Sequence, residues 1–300
     1  MNPQDITLPI DEWLRPLPAP ERTSHATIYR DVDVASVPGF RGLTLDLYLP
    51  RSEKSVHPLI VFIHGGAFLF GIRKEHSPQL RDLQPGPFER LCALGFAVAS
   101  VEYRLSGEAI FPAQLHDIGA HLRFLAYRAT ELHLDLKETV IWGESAGAHL
   151  AMLAAFQQHD NEAMGTLGAP IDTPRIAYLV DWFGLADVRG PMGPFPMPGP
   201  TPEERLIGGS IAEHPEIAAA ASPIDHAHVQ LAGALIMHGR DDALIPIEHS
   251  ERIAAALKAG GTPVTSYWLE ETGHGWGGRS GAALEALELT EEWLRTQIAL

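Results

Sequence analysis

Four short stretches combine glycine with side chains able to do acid, base or nucleophilic chemistry: HGGAF at 64–68, GESAG at 143–147, HGRDDALIP at 238–246 and TGHGW at 272–276. Ser145 stands between Gly143 and Gly147, where the apolar run 140–142 gives way to the proline-free, helix-forming stretch 146–152. A serine on a tight strand-to-helix corner exposes its hydroxyl, and small neighbours let strand and helix approach closely. A hydroxyl is a weak nucleophile and needs a base. His274 supplies an imidazole, Asp241 or Asp242 supplies a carboxylate to orient it, and the chain order Ser, Asp, His is one of the known triad orders. Gly65 and Gly66 remove the side chains that would keep backbone amides away from Ser145. The amides of Gly66, Ala67 and Ala146 are therefore candidates for an oxyanion hole, a role worth roughly 3–4 kcal/mol per donor.

These stretches can meet only if the elements before them run side by side. Runs with strand character lie at 27–34, 43–49, 59–63, 97–101, 139–142, 176–183, 234–238 and 264–269, and helix patterns at 86–94, 113–132, 146–158, 248–259 and 281–298. Short, continuously apolar strands separated by helices predict an α/β fold: a mostly parallel eight-stranded sheet covered by helices on both faces. The first two strands have no helix between them and are expected to pair antiparallel. In such sheets ligands bind beyond the carboxyl ends of the strands, where all four stretches fall.

The roughly fifty residues between the sixth and seventh strands are long for a connection and contain PMGPFPMPGP, so a lid is expected at about 185–225. Residues 1–25 form an N-terminal extension able to join that cap, and 26–300 the catalytic domain. Phe68, Phe111, Met192, Phe195, Met197 and Trp276 are the candidates for an apolar acyl or alcohol pocket.

Composition narrows the partners. The formal net charge is −16, and no run of Lys or Arg is suited to a phosphate backbone, which argues against nucleic acid and anionic membrane. The N-terminus lacks a basic start followed by an apolar stretch, and nowhere do about 18 apolar residues run together. A soluble, cytoplasmic protein is expected. The single Cys92 lies among apolar neighbours and reads as a packed thiol. The 15 histidines invite a metal reading, but His116 and His121 are five apart on a predicted helix and do not share a face. Asp225, His226 and His228 in SPIDHAH read as a polar loop. His149, four residues after Ser145, sits behind the corner and is expected to be structural, as is His64 at the head of HGGAF. Arg104 and Asp117 are expected to pair, and Glu144 to support the site from behind.

HGGAF, VEYRLSGEAIFPAQLHD, GESAGAHLA, HGRDDALIP and TGHGW together resemble the bacterial hormone-sensitive-lipase-like and BD-FAE-like carboxylesterases of the α/β-hydrolase superfamily, from about Leu43 to the C-terminus. The resemblance implies an α/β-hydrolase fold with Ser145 as nucleophile, His274 as base and Asp242 as acid. Asp242 is preferred to Asp241 because the family pattern puts the acid fifth from the His of H-G-x-x-D and four before the proline, here His238 and Pro246. Many members carry a third glycine, or a Trp after it, where this chain has Ala67 and Phe68; an amide donor is kept, and the pocket floor changes. The expected activity is cofactor-independent hydrolysis of small to medium soluble carboxylic esters. A lactonase, a feruloyl or acetyl esterase, or a peptidase would use the same groups, and a non-catalytic ligand-binding protein is the alternative from another class. A homodimer is compatible with this reading.

Overall fold

The computed structural model describes residues 14–298 except 38, 40, 53 and 75. Nine strands form one sheet: β1 (Glu21–Arg22), β2 (Ala26–Ala35), β3 (Leu43–Pro50), β4 (His57–Ile63), β5 (Ala97–Val101), β6 (Leu134–Glu144), β7 (Ile176–Trp182), β8 (Gly233–Gly239) and β9 (Val264–Leu269). Their order is β1-β2-β3-β5-β4-β6-β7-β8-β9. β1, β2, β3 and β5 pair antiparallel in sequence, and from β5 onward every pairing is parallel. The eight expected strands are all present. The ninth, β1, is a two-residue exposed strand with no apolar alternation to announce it.

The central strands are buried on both faces because their alternate side chains serve two cores. Leu59, Val61 and Ile63 of β4 pack in one cluster with α2 (Ala113–Tyr127), α3 (Ala146–Phe156) and α6 (Glu248–Ala259). Ile60 and Phe62 face the other cluster, with α1 (Pro87–Leu94) and α7 (Ala282–Gln297). Every residue of α3 is buried, so this helix has no polar face to display. α2 stops at Tyr127, short of the expected 132, because Arg128 leaves helical geometry. Cys92 is buried on α1, and burial pushes its thiol far up.

The connection from β7 to β8 holds two short helices, α4 (Pro202–Ile207) and α5 (Pro215–Ala220), each opened by proline at its first position. Neither has the length to give a helical period in the sequence. Residues 1–13 of the expected N-terminal extension lie outside the described residues. From residue 14 on, the extension runs beside the sheet: Arg15 pairs with Asp33, its carbonyl accepts from Arg128, and Leu17 packs on the core. Among the described residues no helix is long and apolar enough to cross a membrane.

Candidate active site

Sheet register brings the four stretches together. Ile63 at the end of β4 pairs with Gly143 of β6, so the loop after β4 emerges beside Ser145. Glu144 pairs with Trp182, and the Ser145 amide donates to the Trp182 carbonyl at 2.9 Å. Ser145 is held at φ 53°, ψ −117°, a conformation L-residues seldom adopt. The glycines around it explain how it persists. A Cβ on Gly143 would lie 2.3 Å from the Gly147 carbonyl, and one on Gly147 would lie 2.1 Å from the Ile63 carbonyl oxygen. Backbone therefore packs on backbone at this corner.

Beyond β9, a 3₁₀ turn (His274–Trp276) carries His274 outward. His274 Nε2 lies 3.0 Å from Ser145 Oγ, and Nδ1 lies 2.7 Å from Asp242 Oδ2. An ionised carboxylate only accepts, so Nδ1 carries the proton and Nε2 is free to accept from the serine hydroxyl. Asp242 Oδ1 accepts the amides of Leu244 and Ile245, both at 2.9 Å. Burial alone would raise the Asp242 carboxyl, but hydrogen bonds from His238 and His274, with the Ile245 amide, hold it well below the usual carboxylate range. Asp241 is exposed on the surface.

His238 is a participant the sequence reading used only as a spacing mark. Its Nδ1 lies 2.7 Å from Ser250 Oγ, and its Nε2 lies 2.8 Å from the Ile245 carbonyl oxygen and 3.2 Å from Asp242 Oδ2. Because a carbonyl only accepts, Nε2 carries the proton and faces Asp242 as a donor. The position of His238 at the buried end of β8, four residues before the acid, was the available signal.

The expected amide donors sit on an unusual stretch of backbone and at a helix start. Gly66 has φ 122°, and Ala67 and Phe68 follow at φ 54° and 61°. A Cβ on Gly66 would lie 2.3 Å from the Phe70 carbonyl oxygen, so glycine is required there. The loop is tied down by Leu69 and Phe70 amides donating to the Gly66 carbonyl, each at 2.9 Å. Ala146 is the first residue of α3, so its amide has no partner within the helix. His64 stacks on Tyr103 with its Nδ1 2.7 Å from the Gly65 carbonyl oxygen; burial lowers it to about 4, leaving a neutral ring that pins the loop.

Two cavities meet at Ser145. One, of about 210 Å³, is lined by Ala67, Phe68, Ala146, Met192, Phe195 and residues of α4. The other, of about 340 Å³, is lined by Gly65, Gly66, Ser77, Phe183 and His274. Phe68, Met192 and Phe195 are thus brought to the site, with Leu185, Leu244 and Phe183 added to them. Three expected pocket residues are elsewhere. Trp276 is 1% exposed and packs edge-on against Trp182 and Phe183, because the turn that sends His274 outward sends it into the core. Phe111 lines a separate surface cavity with Leu115 of α2. Met197 stays 40% exposed, beyond either cavity.

The remaining residues hold the frame. His149 Nδ1 lies 2.8 Å from the Leu185 carbonyl oxygen, with its ring against Phe68 and not at Ser145. Arg104 grips Asp117 through Nη2 at 2.6 Å and through its amide at 2.8 Å. Ser77 Oγ lies 3.1 Å from Glu144 Oε2, while Glu144 Oε1 is buried without a partner. Burial pushes this carboxyl up to about 8, so it keeps its proton at neutral pH.

A family model designated BD-FAE matches residues 45–257. The chain belongs to the BD-FAE family. Its architecture is the α/β-hydrolase fold, shared with a truncated carbohydrate esterase from gut microbiota at 27% identity and a TM-score of 0.77, covering 93% of this chain and 98% of that one. A bifunctional GH43-CE protein of Bacteroides eggerthii is 25% identical with a TM-score of 0.76, over 91% of this chain and 38% of its own. Among curated relatives, esterase LipQ of Mycobacterium tuberculosis is 26% identical over 84% of this BD-FAE chain and 57% of LipQ. A probable isoprenylcysteine alpha-carbonyl methylesterase of rice, Oryza sativa subsp. japonica, is 28% identical over 72% of this chain and 51% of its own. The chain spans a little over half the length of these curated relatives.

Proposed function

We propose that this protein is a serine carboxylesterase working through an acyl-serine intermediate. The observation that carries the reading is the continuous relay from Asp242 through His274 to Ser145; the amides of Gly66, Ala67 and Ala146 are the oxyanion donors in this reading. As Ser145 Oγ attacks the ester carbonyl carbon, His274 Nε2 takes the hydroxyl proton and the carbonyl electron pair moves onto oxygen, where the amides receive it. Collapse of the tetrahedral species breaks the ester C–O bond, and His274 returns the proton to the departing alkoxide. Water then attacks the acyl-serine with His274 again as base, releasing the acid and restoring Ser145. Asp242 stays ionised throughout and stabilises the imidazolium.

This chemistry assigns the cavities. The alcohol must leave past the imidazole that protonates it, and His274 lines the larger cavity. The acyl group takes the smaller one, which Ala67 and Ala146 line and His274 does not. In this reading the 185–225 segment is the lid, since Leu185, Met192, Phe195 and the start of α4 wall the acyl cavity, and 26–300 is the catalytic domain. The GH43-CE, LipQ and carbohydrate-esterase likenesses support ester hydrolysis as the activity.

The test is turnover of p-nitrophenyl butyrate by the wild type and by Ser145→Ala. Loss of roughly 10⁵–10⁶-fold in kcat is expected with folding intact. Unchanged turnover in Ser145→Ala would eliminate the mechanism.

A further inference from the structure

The acyl cavity is apolar over most of its wall, through Ala67, Phe68, Leu185, Met192, Phe195 and Leu244. Thr201 and Glu203 interrupt that wall. Glu203, the second residue of α4, is 5% exposed and is the one ionisable side chain among the residues lining this cavity, the Ser145 hydroxyl apart. Among the described residues it forms no ion pair with Arg, Lys or His. Its own amide and the Thr201 hydroxyl are the groups that favour its charged form.

The helix does not need Glu203 for its start. Thr201 Oγ1 accepts the Glu204 amide at 3.2 Å, and Glu204 Oε2 accepts the Thr201 amide at 3.0 Å, which completes a capping box through the neighbouring glutamate. A buried carboxylate without a cation is costly to desolvate. Burial accordingly pushes the Glu203 carboxyl above its ordinary range, against the influence of those two groups. An exposed glutamate at the same helical position would avoid that cost, so its placement in the wall calls for a compensating contact that an occupant supplies.

We propose that Glu203 is a specificity-determining residue of the acyl site, accepting a hydrogen bond from a hydroxyl or ammonium group carried on the acyl chain away from the ester carbonyl. The apolar wall between Ser145 and Glu203 holds the intervening carbons. Acids with a remote donor are thereby selected over plain alkanoic acids. The inference rests on the esterase reading and on the acyl group occupying this cavity.

Two series of p-nitrophenyl esters from three to eight acyl carbons test it, one plain and one with a terminal hydroxyl or amino group, against wild type, Glu203→Gln and Glu203→Leu. At one or more chain lengths the wild type is expected to favour the donor-bearing ester by about 10-fold or more in kcat/KM, the size of a hydrogen bond to a charged acceptor. Glu203→Leu should reverse the preference by improving the plain esters. Glu203→Gln, nearly isosteric, should keep part of a hydroxyl preference and lose an ammonium preference, which tells the two donors apart. Wild-type turnover of both series with no preference at any length overturns the proposal and leaves the esterase reading standing, as does an equal loss on both series in each variant, the mark of a purely structural glutamate. Turnover of neither series overturns the esterase reading and the proposal with it.

Discussion

On one side of Ser145 the surroundings are set by backbone against backbone, whereas on the other they are set by side chains, many of them from one long connection. The strand-end side is fixed by Gly143, Gly147 and Gly66, at each of which a Cβ would come within 2.3 Å of a main-chain atom. The side proposed to take the acyl group is built in part from Met192 and Phe195, half-buried on the stretch between β7 and α4. Close main-chain contacts cannot relax around an added atom, while flexible side chains can. Under the proposed mechanism the contrast separates the part that would perform the reaction from the part that would choose its substrate, and substitutions on the two sides should fail in different ways.

The largest effect short of losing the serine itself belongs to the strand-end side. Asp242→Asn should lower kcat by roughly 10³–10⁴-fold, because an amide in place of the carboxylate no longer fixes the imidazole tautomer. Asp241→Asn, on the surface, should change kcat by less than about twofold, and steady-state kinetics on one ester ranks the pair. Next comes Gly66→Val, expected to cost on the order of 10²–10³-fold in kcat, the worth of an oxyanion donor, with KM altered less. A rise in KM alone would move Gly66 to substrate entry and send the search for donors elsewhere. On the opposite wall, Phe195→Ala should leave kcat within a few-fold and change KM and acyl-chain preference instead, as measured over a series of p-nitrophenyl esters.

The smallest effect is on stability. Folded Glu144 holds its proton to about pH 8, while the unfolded chain releases it in the ordinary carboxyl range. Between those values the folded state binds more protons, so this group makes stability fall as pH rises through that window. Melting curves from pH 5 to 9 should show a shallower decline for Glu144→Gln, which keeps a neutral partner for Ser77, than for the wild type. Parallel declines would mean that Glu144 is ionised in the fold.

What the sequence made legible follows the same division. Elements whose function is carried by local backbone demands left a trace: the glycines at 143 and 147 and the apolar strands at 59–63 and 234–238 each stand where the structure has an elbow or a buried strand. The nearness of Ser145, Asp242 and His274 was readable because each lies in the loop or turn that leaves the carboxyl end of a strand. The two-residue β1 and six-residue helices α4 and α5 are too short to show a period. Aromatic identity alone could not place Trp276 or Phe111, since a turn or helix decides which way each ring faces. His238 escaped notice because its role depends on a fold-back of the chain after β8 that brings the Ile245 carbonyl to its ring.

The central claim, a serine activated by His274 at the junction of two cavities, is tested most directly by a fluorophosphonate followed by peptide mapping. One equivalent of label on the peptide containing Ser145, absent in Ser145→Ala and much slower in His274→Ala, is the predicted result. A wild-type protein that hydrolyses esters while Ser145 remains unlabelled would contradict it.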